Sequence, residues 1–130
     1  MEVNKTDNKY ILDTALRQSA IDMSCEPSDF LRNKNVIVES KTDPNARRYL
    51  TLPFDCNLVT YGNNIVAAVS PRLRDTVLSY INMFPIEHCF ETPNMHILND
   101  KVSDLGYKIC YMAEYFLPDV NDIKLHKCSF

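Results

Sequence analysis

Glycine is the scarcest informative residue in this chain: Gly62 and Gly106 are the only two among 130. Phosphate and coenzyme loops use glycine to bring backbone N–H groups onto phosphate oxygens. Here the two glycines lie far apart, one suited to a turn and the other to a helix end. A nucleotide-cradling loop is therefore not expected. Tryptophan is absent, and the five cysteines form no C-x-x-C pair. An odd, scattered set of Cys25, Cys56, Cys89, Cys110 and Cys128 argues against a disulfide framework and for reduced thiols. Charge of one sign is also lacking. The formal net charge is −3, which gives no reason to expect nucleic acid or an anionic membrane as partner. No apolar run approaches the roughly 20 residues needed to span a bilayer. The first nine residues, MEVNKTDNK, have neither the basic start nor the apolar stretch of a signal peptide. The expectation is a cytoplasmic chain.

What is present suits one domain over 1–130, with 119–130 a tail or the start of a second half. At 45% hydrophobic and 24% charged residues, the chain can bury a core without staples. Tyr10 to Met23 places Ile11, Leu12, Ala15, Leu16, Ala20 and Met23 on one helical stripe. Pro27 opens a second short helix, and Asn35 to Ser40 reads as a β-branched strand, with a polar loop from Lys41 to Arg48. Phe54 to Tyr61 alternates and turns at Gly62-Asn63, both expected at positive φ, into Asn64 to Val69. The second arm is wholly apolar and small, as in a central strand covered by helices. Ser70-Pro71 starts a helix carrying Leu73, Val77, Tyr80, Ile81 and Phe84, ended by Pro85. Ile86 to Phe90 reads as a strand. Thr92 then caps a helix with Pro93 at its first position, Met95, Leu98, Val102 and Leu105 on one face, and Gly106 beyond its end. Ile109 to Leu117 reads as a strand buried on both faces and stopped by Pro118. The fold class is α+β: a mixed, largely antiparallel sheet with flanking helices.

Chemistry-bearing residues are few. His88, Cys89, Glu91 and His96 have metal-ligand chemistry, but their spacing fits neither a zinc finger nor His-Glu-x-x-His. Cys89 adjoins His88, yet neighbours in a strand point to opposite faces. Cys110, in the most apolar segment, is expected to be a core residue and the slowest thiol to react. Glu114 is the one carboxylate inside the last strand, where a covered face would make it a semi-buried acid. Seven tyrosines are available to wall a cleft. The candidate ligand-binding set is Glu114, Tyr111, Tyr61 and His96; no catalytic or metal set is expected.

Several strings have a familiar look: Arg-Gln-Ser-Ala-Ile-Asp, Pro-Ser-Asp-Phe-Leu, Tyr-Gly-Asn-Asn-Ile-Val-Ala, His-Cys-Phe-Glu-Thr-Pro-Asn-Met-His, and Gly-Tyr-Lys-Ile-Cys-Tyr-Met-Ala-Glu-Tyr-Phe-Leu-Pro-Asp. From about Leu16 to Asp119 the chain resembles the N-terminal region of two-part bacterial acetyltransferases of the GNAT (Gcn5-related) superfamily. The resemblance implies a degenerate copy of the GNAT fold acting as a non-catalytic accessory half. It would contribute substrate-side, interdomain or dimer contacts. In that family the acetyl-CoA half lies downstream and carries a Gln/Arg-x-x-Gly-x-Gly/Ala loop. No such loop occurs here, so no family catalytic or coenzyme residue transfers to a position of this chain, and acetyl-CoA is expected only in the other half. The partners implied are a GNAT catalytic domain or a second copy of the chain. The alternative from the residues themselves is a self-standing small-ligand module with a tyrosine-lined cleft near Glu114.

Overall fold

The computed structural model describes residues 7–47, 53–110 and 112–122. Three strands form one sheet: β1 (Val36–Glu39), β2 (Cys56–Val59) and β3 (Val66–Val69), in the order β1-β3-β2. β1 runs parallel to β3, with Val36 opposite Val66, and β2 runs antiparallel to it, with Val59 opposite Val66. The sheet is mixed as expected, with one pairing of each kind. The class is α+β.

β3 explains the layering. It is central and buried at every position, and its alternation sends side chains to opposite faces. Ala67 and Val69 join a core with Leu73, Val77, Tyr80, Ile81, Cys89, Leu98 and Val102. Val66 and Ala68 join a second core with Leu16, Ala20, Met23 and Phe30. Each large side chain fully buried in this way stabilises the fold by about 1.5–3 kcal/mol relative to leaving it exposed.

The first face is covered by α2 (Arg74–Ile81), α3 (Ile86–Cys89) and α4 (Thr92–Ser103), the second by α1 (Asn8–Met23) and a 3-10 turn at Pro27–Leu31. α1 starts where Asp7 accepts from the Tyr10 N–H at 2.7 Å and ends at Ser24, held at φ 59 with its N–H on the Ala20 and Ile21 carbonyls. Its stripe buries Leu16, Ala20 and Met23, while Leu12 stays exposed. Asn64 is buried in the β2–β3 connection, where its amide donates to the Asp29 and Lys34 carbonyls at 2.7 and 2.9 Å.

Four expectations are corrected. The hairpin connection is longer than Gly62-Asn63: the chain leaves β2 at Val59 and rejoins at Val66. Of that pair only Gly62 takes positive φ, at 100°. Thr60 Oγ1 shapes the bend, accepting from the Gly62 N–H and donating to the Asn64 carbonyl. Ile86 to Phe90 is helical rather than a strand. Pro85 accepts from the His88 and Cys89 N–H groups at 3.0 and 3.2 Å, and one turn buries Cys89 and half-buries Ile86 and Phe90. A spacing of three and four residues, not alternation, was the pattern there. Thr92 is the first residue of α4, with Glu91 at the cap position and no side-chain cap bond. The fourth concerns Ile109 to Leu117: its described residues form no strand, and apart from the half-buried Ile109 they are exposed.

Candidate interaction site

The segment after α4 is where the structure departs furthest from its sequence. Gly106, at φ 88, ends the helix: its N–H reaches the Ser103 carbonyl, and the Tyr107 N–H reaches Val102, both at 3.0 Å. Tyr107 and Ile109 are half-buried against the α2–α4 core, and the Ile109 N–H donates to Asn99 Oδ1 at 2.9 Å. Tyr107 to Cys110 therefore begins as a strand would, with alternate residues turned inward. Thereafter every residue from Met112 to Asp119 is exposed. Phe116 is 85% accessible and Tyr115 59%, values at odds with any core role. The main chain of Met112 to Leu117 makes no hydrogen bond to any described residue. Apolar composition supplied strand propensity, but a strand also needs a hydrogen-bonded neighbour, and no described strand pairs with this segment.

The far end is clipped to the start of α1. Asn8 Nδ2 donates to Asp119 Oδ1 at 3.1 Å, and the Val120 N–H donates to Asn8 Oδ1 at 2.9 Å. Asp119 also accepts from the Asn121 N–H. That backbone donor, then Asn8, holds its carboxyl below the ordinary carboxylate value. Midway, the Arg47 guanidinium lies 5.5 Å from the Tyr115 ring centroid. Arg47 is itself fixed by the 6%-exposed carboxylate of Asp22, which takes its Nε at 2.5 Å and its backbone N–H at 2.9 Å. The outcome is an apolar stretch strung between two anchored ends.

The described members of the sequence-derived ligand set stand on different elements. Glu114 stands on the exposed stretch and His96 on the exposed side of α4. Tyr61 lies across the sheet connection, edge-on to Phe30 at 5.1 Å and hydrogen-bonded to Ser19 at 2.7 Å. Tyr111 lies outside the described residues. No hydrogen bond or ring contact joins Glu114, His96 and Tyr61 to one another. Two grooves of about 600 and 530 Å³ flank α1 and the 3-10 turn, lined by Arg17, Cys25 and Asp29 and by Tyr10, Leu16 and Leu31 respectively. Of the described candidates, none of Glu114, His96 and Tyr61 is among the lining residues of either.

His88 Nδ1 meets Glu91 Oε1 at 2.7 Å on the surface, while Cys89 turns inward with its thiol toward the Phe84 and Ile81 carbonyls. Among the described residues no three His, Cys, Asp or Glu side chains converge as a metal site. Cys110 is exposed rather than the core residue expected. Burial, then the Asp29 charge, pushes the Cys25 thiol up to about 12; burial, then Asp55, does the same for Cys56. Cys89 is also raised, by burial first. Sequence reasoning missed the Asn8–Asp119 clip and the Arg47–Tyr115 stack, because both join residues remote in the chain and neither carries a spacing signal. Among the described residues no helix is long and apolar enough to cross a membrane. Compared with protein-family models, curated proteins and solved structures, the chain matches none at a significant level.

Proposed function

We propose that this chain is a non-catalytic N-terminal domain of a GNAT-type N-acetyltransferase, acting in the cytoplasm of a bacterium by contact rather than by chemistry. The observation that carries this reading is the exposed, largely apolar stretch Met112–Leu117, whose main chain pairs with no described residue. Exposed large apolar side chains clustered in sequence, as Met112, Tyr115, Phe116 and Leu117 are here, suit an interaction site, and a strand-prone main chain with no described partner suits strand addition. The position of the glycines supports placing the coenzyme elsewhere. Gly62 lies in the β2–β3 connection and Gly106 follows a helix, so neither opens a helix toward a pyrophosphate. The four described cysteines are free thiols, which supports a reducing compartment.

Two measurements test the reading. Calorimetric titration of the chain with acetyl-CoA should give no binding heat; micromolar affinity overturns the non-catalytic assignment. The chain should also associate with the catalytic domain of a two-part GNAT enzyme or with itself, and Phe116→Ser with Leu117→Ser should abolish that association. Contact that survives both substitutions overturns the assignment of the surface.

A further inference from the structure

We draw no further inference here: the strongest candidate, the exposed surface stretch Met112–Pro118 between the anchors at Ile109 and Asp119, is an unpartnered apolar face, and nothing in the structure shows what covers it.

Discussion

Removing one oxygen from the core gives a sharp test of how the α2–α4 face is held. Tyr80 is fully buried, and its hydroxyl donates to the Cys89 carbonyl at 2.6 Å, with Met95 Sδ at 3.6 Å. The bond ties α2 to the turn of α3. Tyr80→Phe keeps the ring, its edge-on contact with Phe84 at 6.0 Å, and the volume of the site. Lost are one hydrogen bond, worth about 1 kcal/mol net, and the partner of a buried carbonyl, with a penalty of about 1 kcal/mol or more. The expected destabilisation is about 2 kcal/mol, or a fall in melting temperature of about 6 °C for a domain of this size. Urea denaturation followed by circular dichroism measures it, with Tyr10→Phe as a control, since Tyr10 is 54% exposed. A Tyr80→Phe change no larger than that of the control would refute the argument that this hydroxyl joins α2 to α3.

The same hydroxyl predicts an alkaline limit. Burial, then the Cys89 thiol, pushes Tyr80 from 10.0 to about 12, so the folded state favours the neutral phenol. Its contribution is intact below pH 10 and lost between pH 10 and 12; an alkaline titration of stability should lose that component in Tyr80→Phe. Thiol labelling of the native chain should modify Cys110 first among Cys25, Cys56, Cys89 and Cys110, because it is exposed while burial raises the other three. Cys89 reacting as fast as Cys110 would place α3 wrongly. Gly106→Ala should cost about 1 kcal/mol through its φ of 88° alone, since an added Cβ meets nothing within 4 Å; thermal melts showing no loss would contradict the helix end as described.

Much of the fold was legible because periodicity and punctuation agreed. The stripe Leu16, Ala20, Met23 located α1, the small apolar run into Val69 located the central strand, and Gly106 marked the end of α4 at the positive φ its position required. The errors share a cause. Ile86–Phe90 is too short for alternation to be told from a single helical turn, and Pro85 tipped it to helix by accepting two N–H groups. Ile109–Leu117 reads as a buried strand because composition reports propensity, whereas burial and pairing are set by what lies alongside. The candidate interaction site emerged from that failure. The same residues that resemble a core strand are, with no described strand alongside, an exposed apolar stretch. Glu114 was singled out for a cleft role that supposed its strand face covered, whereas Glu114 is exposed and Tyr111 lies outside the described residues.

Hydrogen exchange of the amides from Met112 to Leu117, followed as a function of chain concentration, tests the central claim most directly. With no bond to any described residue, these amides should exchange at nearly unprotected rates when dilute. They should gain protection as the concentration rises or when the catalytic domain of a two-part GNAT enzyme is added, while the amides of β3 stay protected throughout. Protection of Met112–Leu117 already complete at the lowest concentration, or absent both at every concentration and with the catalytic domain of a two-part GNAT enzyme added, would contradict the assignment of this stretch as a contact surface.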